Sequence, residues 1–166
     1  MDLSTATEQI SDVVSNTKKY KSKTEEVYNK YAKLINGHID DLEKIVNDSY
    51  MTGVTGVIWV EMQINKLFNN IKSLLDSLNE QLTNITNNAK EWYTDSVNNI
   101  KISVIKSCYA KVGKEYTDEE LKLLADSIPS PSFESLVPAI KVELQVPEVT
   151  DINSIDTLKL KKLPLI

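Results

Sequence analysis

All five prolines of this chain follow residue 128, at Pro129, Pro131, Pro138, Pro147 and Pro164, and two of its four glycines stand together at Gly53 and Gly56. A proline in a helix interior removes a hydrogen bond and clashes with the preceding turn. Its absence from everything upstream leaves two long stretches, residues 1–50 and 57–112, free to be helix. The same placement reserves the last part of the chain for extended backbone. Two domains of different character follow: 1–127, a helical hairpin with a short capped helix, and 128–166, a proline-punctuated arm for docking.

The first stretch carries a heptad pattern. Leu3, Ala6, Ile10, Val13, Thr17, Tyr20, Thr24, Val27, Tyr31 and Leu34 recur in alternating steps of three and four, the seam of a coiled coil. A neighbouring stripe takes over at Ile35, Ile39, Leu42, Val46 and Tyr50. Thr5 and Glu8 have the spacing of a capping box near the start. Gly37 is the expected weak point, costing about 1 kcal/mol relative to alanine. Met51–Gly56, with two glycines and two threonines, reads as the turn between helices.

From about Val57 a second stripe runs through Val60, Ile64, Leu67, Ile71, Leu74, Leu78, Leu82, Ile85, Ala89, Trp92, Val97, Ile100 and Val104. The two successive steps of four at Leu74, Leu78 and Leu82 form a stutter, which unwinds a left-handed supercoil locally. Gly113 is placed to close this helix in the left-handed conformation. Thr117-Asp-Glu-Glu120 then reads as the start of a short capped helix that ends before Pro129.

In the arm, Ile140, Val142, Leu144 and Val146 alternate with polar residues, the period of a β-strand. A lone strand is not stable in water. Its partner is expected to be Leu158–Leu163 or a strand of another molecule. The fold class is therefore mainly α: a long antiparallel, coiled-coil-like helical hairpin, a short helix, and an extended C-terminal arm with one or two β-strands.

The inventory of reactive groups restricts function. All 19 basic residues are lysine, so no guanidinium is available for bidentate recognition of phosphate, carboxylate or guanine. Net charge is −5, which argues against specific nucleic-acid recognition built on phosphate neutralisation. The lone Cys108 cannot form an intrachain disulfide and reads as a buried small apolar residue. The lone His38 lies beside the heptad seam, where a polar residue helps fix register. Acidic clusters at Asp40-Asp41-Glu43 and Asp118-Glu119-Glu120 lack the loop spacing of a calcium site. Phosphate-loop and dinucleotide motifs are absent. No catalytic residue, cofactor site or metal site is nominated, and the chain is not expected to be an enzyme.

Surface is what remains. Tyr20, Tyr28, Tyr31, Trp59 and Trp92 are candidate interaction residues because Tyr and Trp favour protein contacts. Ile140, Val142, Leu144 and Val146 join them through the arm. The stripe at Val14, Val27, Tyr28, Ile35, Ile39 and Val46 is expected to need cover from another molecule. No apolar signal segment occupies residues 1–20, and no run is long enough to span a membrane. The expected role is a non-enzymatic structural or assembly part of a multi-subunit complex, a homo-oligomer or hetero-complex. The layout is that of small virion components of the tailed-phage kind, placing the chain in a virion or the cytoplasm. The alternative is a membrane-active or secreted hairpin whose tip, Val54–Val60, meets a bilayer surface. A second alternative is a cellular coiled-coil adaptor.

Overall fold

The computed structural model describes residues 3–48, 54–113, 115–144, 146 and 161–166. Four helices follow in order: α1 (Leu3–Asp48), α2 (Val54–Ala110), α3 (Asp118–Asp126) and α4 (Phe133–Leu136). The fold is mainly α, with two long helices in contact in a hairpin-like arrangement and no strand among the described residues. Tyr31 meets Gln81, and Tyr20 meets Trp92.

Helix bounds differ from the sequence expectation at three places. Leu3 already lies in α1, so Ser4 and Thr5 are helical and do not cap it. α1 continues unbroken through Gly37. α2 begins at Val54, so Thr55 and Gly56 belong to the helix and not to the turn. The remainder of the expected turn, through Gly53, lies outside the described residues.

The chain divides into two compact units, Met1–Thr24 with Asn84–Ala139 and Glu25–Thr83 with Ile140–Ile166. In the first, Ala89, Tyr93 and Val97 of α2 bury against Phe133 and Val137, with Val13, Val14, Tyr20 and Leu136 packed alongside. A second cluster joins Ile105 of α2 to Leu121 and Ala125 of α3. Gly113 adopts φ 72°, the left-handed conformation its position after α2 requires. The Thr117 side chain accepts a hydrogen bond from the Glu120 amide at 3.2 Å, so the expected cap of α3 is present. α4 was not legible as a helix, being one turn long. Ser132 caps it by accepting from the Ser135 amide at 3.3 Å, and Phe133 anchors it.

Lys101 of α2 is also buried in this unit, at 5% exposure. Its ammonium donates to Ile128 O at 2.6 Å and to Ser130 Oγ at 3.0 Å. The lysine thereby satisfies a carbonyl where the chain leaves α3. Burial pushes its pKa below the usual 10.5, opposed by the charge of Asp126.

In the second unit, Tyr28, Ala32, Ile35, Ile39 and Leu42 of α1 pack with Val60, Ile64, Phe68, Ile71, Leu78 and Leu82 of α2. Thr24, Tyr28 and Ala32 are successive buried positions four apart. The buried stripe of α1 therefore drifts one row earlier than the heptad reading had it. As a result Leu34, assigned to the seam from sequence, is 49% exposed, while Ile35 and Ile39 are fully enclosed. The expectation that this second stripe needs another molecule to cover it is overturned at Tyr28, Ile35 and Ile39, which α2 and the arm cover; the side chain of Val46 lies outside the described residues.

Ile140, Val142, Leu144 and Val146 all pack partly buried on this core, and Lys141 and Glu143 point outward. The alternation in the sequence is real, but its cause is different. It reflects an extended segment laid over helices, one face in contact and one in water, and not a paired strand. Of the proposed partner strand, residues 158–160 lie outside the described residues, while 161–163 form neither helix nor strand. Cys108 is exposed and not buried, although it lies one turn beyond the enclosed Val104 and Ile105 on the same side of α2.

Candidate functional site

The second unit holds a site that the sequence reading did not nominate. Two asparagines of α1, Asn29 and Asn36, grip the backbone of the terminal segment Lys161–Ile166. Asn36 Oδ1 accepts from the Leu163 amide at 2.8 Å, and its Nδ2 donates to Leu163 O at 2.9 Å. Asn29 repeats the arrangement on Ile166, with both bonds at 2.9 Å. Between them the Tyr28 hydroxyl donates to Pro164 O at 2.7 Å.

The repeat has a geometric cause. Seven residues of helix advance about 10.5 Å at 1.5 Å each. Three residues of extended chain advance about 10 Å at 3.3 Å each. A heptad-spaced pair of asparagines therefore meets every third residue of an extended segment with both groups of its peptide unit in reach. The segment runs antiparallel to α1, since residue 163 meets 36 and residue 166 meets 29. Pro164 lies between the two gripped residues, where its lack of an amide proton costs no clamp bond.

Two further groups fix the register. Leu163 is 3% exposed and belongs to the core of the unit. Lys162 forms an ion pair with Asp40, one turn beyond Asn36, and this hydrogen bond raises the pKa of the lysine. Leu165 and Ile166, by contrast, remain 52% and 60% exposed. The segment is thus held through its main chain, one leucine side chain and one salt bridge.

The residues nominated from sequence fall into three groups. Tyr28 is buried and takes part in the clamp, and burial raises its pKa above 10.0. Ile140, Val142, Leu144 and Val146 lie on the same core. Tyr31 is half-buried, and its hydroxyl accepts from Gln81 Nε2 at 2.6 Å. In the other unit Tyr20 and Trp92 form a tilted ring pair with centroids 6.1 Å apart. Trp59 is 56% exposed, beside Ile58 at 57% and Met62 at 64%. Residues 58 and 62 are one turn apart, so the three share one side of α2.

Tyr93, which sequence periodicity passed over in favour of Trp92, is the more buried neighbour. Its hydroxyl donates to Pro131 O at 2.5 Å, and its ring packs on Phe133. Lys90 and Glu134 close this edge with an exposed ion pair at 2.6 Å. That bond to Lys90 lowers the Glu134 pKa. Near the end of α2 an open cavity of about 480 Å³ is lined by Lys106, Tyr109, Glu115, Tyr116 and Leu121. Nothing among these residues assembles a nucleophile with a base.

Asn29 and Asn36 carried one signal that could have exposed them. They are two asparagines one heptad apart on the flank of an amphipathic helix, and they precede a basic-apolar-proline segment in the same chain. His38 lies on the same helix, half-buried, with Nδ1 enclosed and without a hydrogen-bond partner among the described residues. No helix among the described residues is long and apolar enough to cross a membrane. Compared with known proteins, the chain matches no family model, no curated relative and no solved structure.

Proposed function

We propose that this chain is a non-enzymatic structural part of a larger protein assembly, docking through its helices and its C-terminal arm. The observation that carries the proposal is the side of α2 bearing Ile58, Trp59 and Met62, each more than half exposed. Large apolar side chains grouped on one side of a helix are characteristic of contact surfaces, and Trp is the residue most enriched at interaction hot spots. The arm adds a second docking element that works through main-chain hydrogen bonds. A virion of the tailed-phage kind is the setting in which long helices with C-terminal arms are most at home, an analogy of architecture alone.

Light scattering on the purified full chain tests the proposal. A mass above 18.7 kDa that falls on Trp59→Ser supports assembly through this side of α2. A monomer that gains no partner when mixed with the other components of its native particle refutes it.

The second reading, a membrane-surface protein, draws on the same three side chains, because Trp and aliphatic residues also partition into the bilayer interface. Flotation with anionic liposomes separates the two. Binding that requires Trp59 favours the membrane, and its absence leaves the assembly reading in place.

A further inference from the structure

We propose that Ser130, with Lys101 as its base, is an acylation site, whose hydroxyl takes a short acyl group from an activated ester. The modification is of the chain itself and needs no turnover, so it stands apart from the assembly reading.

A serine hydroxyl is a weak nucleophile until a neighbouring base takes its proton. Ser130 has such a neighbour. It is exposed, and its Oγ lies 3.0 Å from Nζ of Lys101, a residue only 5% exposed. The same nitrogen donates to Ile128 O at 2.6 Å. That second bond fixes what the amine can do when neutral. One N–H stays on the carbonyl, and the lone pair is left for the Ser130 proton. The Ser130 hydroxyl donates to no other group among the described residues. Burial holds Lys101 below 10.5, which favours the neutral amine; Asp126 of α3 is the charge that opposes it. Lys90 and Glu134, the charges beside α4, are paired with each other.

The serine is held in place by its neighbours. Pro129 and Pro131 flank it, and a residue before proline is confined to extended backbone. The carbonyl of Pro131 is tied to the Tyr93 hydroxyl. Ser130 borders a cavity of about 230 Å³ whose lining includes Tyr93, Thr94, Asn98 and Phe133. Its size suits a short acyl chain. Thr94 and Asn98 make no hydrogen bond among the described residues, so both are free to donate to an ester oxygen there.

The step conserves atoms and electrons. Ser130 Oγ bonds to the ester carbonyl carbon as its proton passes to Lys101 Nζ. The carbon–oxygen bond to the leaving alcohol then breaks, and Lys101 returns the proton to that oxygen. Ser130 is left as an ester and Lys101 as a neutral amine, with no change of oxidation state.

The test treats the full chain with 4-nitrophenyl acetate across a pH series. Samples are quenched in acid, and peptide mass spectrometry locates acetyl on serine. Ser127, Ser132 and Ser135 are exposed serines with hydrogen bonds to their own local backbone and serve as references in the same molecule. Ser130 should be acetylated at least about tenfold faster than these, at the low end of what a positioned base supplies. Its rate should rise with pH and level off above the folded pKa of Lys101, while the reference serines keep rising. Lys101→Arg keeps a donor for Ile128 O and cannot lose its proton in this range. It should bring Ser130 down to the reference rate. Acetylation of Ser130 at the reference rate in the wild-type chain overturns the proposal. So does a Lys101→Arg chain, helical by circular dichroism, that is acetylated as fast as wild type. If Lys101→Arg loses helix, the wild-type pH series decides: levelling at Ser130 alone supports the base, and a rise parallel to the reference serines overturns it.

Discussion

Removing the Asn36 side chain should detach the terminal segment at a cost set by the contacts around it. Asn36→Ala deletes two hydrogen bonds, to the amide and carbonyl of Leu163. Each is worth about 0.5–1.5 kcal/mol net in a partly solvated site, or about 1–3 kcal/mol together. Leaving the two Leu163 groups orphaned in place would cost more, but the segment has another course. It can lift away and rehydrate, forfeiting the burial of Leu163, about 1.5–3 kcal/mol. The smaller of these penalties governs, so destabilisation should fall at about 1.5–3 kcal/mol. Urea unfolding followed by helical circular dichroism measures it as a shift in midpoint at nearly constant slope. The native helical signal itself should not change, because residues 161–166 are not helical. Lys30→Ala, an exposed neighbour of Asn29 on α1, provides the control and should stay within about 0.5 kcal/mol of wild type. If Asn36→Ala matches that control, the clamp contributes nothing and the reasoning fails.

Three further outcomes are expected. Gly37→Ala should stabilise the chain by about 0.5–1 kcal/mol in thermal or urea unfolding, because Gly37 lies inside α1 and an added Cβ meets nothing within 4 Å. Burial holds Lys101 below 10.5, so between its folded pKa and 10.5 the unfolded chain binds more protons and stability rises with pH; Lys101→Met should remove that rise in a pH series of unfolding midpoints. The Glu134 pKa is lowered, so whatever its pair with Lys90 contributes is present above the ordinary 4.5 and lost as pH falls through the folded value; Glu134→Gln should flatten that acid limb, and an unchanged limb would dismiss the pair.

The helical body was legible because its pattern is local and periodic. Long runs free of proline, with apolar residues every three or four positions, leave few alternatives to two amphipathic helices. The Thr117 cap and the left-handed Gly113 were equally local, each needing only its own few residues. Legibility failed where the answer depended on what packs against what. The one-row drift at Thr24, Tyr28 and Ala32 is set by the facing side chains of α2, so the heptad reading kept Leu34 in the seam when it lies at the surface. The arm showed its alternation, but period two says only that one face is covered. It does not say whether a strand or a helix surface covers it. The clamp was hidden for a related reason: Asn29 and Asn36 look like ordinary polar flank residues until a segment more than 120 positions away comes alongside them.

Amide hydrogen exchange at Leu163 and Ile166, resolved residue by residue, tests the clamp most directly. In the wild-type chain both amides donate to an asparagine side chain and should exchange more slowly than the same amides in a free peptide of residues 161–166. Asn36→Ala should release Leu163 most, and Asn29→Ala should release Ile166 while leaving Leu163 largely protected by its burial and by Asn36. This paired response is what heptad-spaced asparagines reading every third residue predict. Free-peptide rates at both amides in the wild-type chain, or protection indifferent to both substitutions, would contradict it.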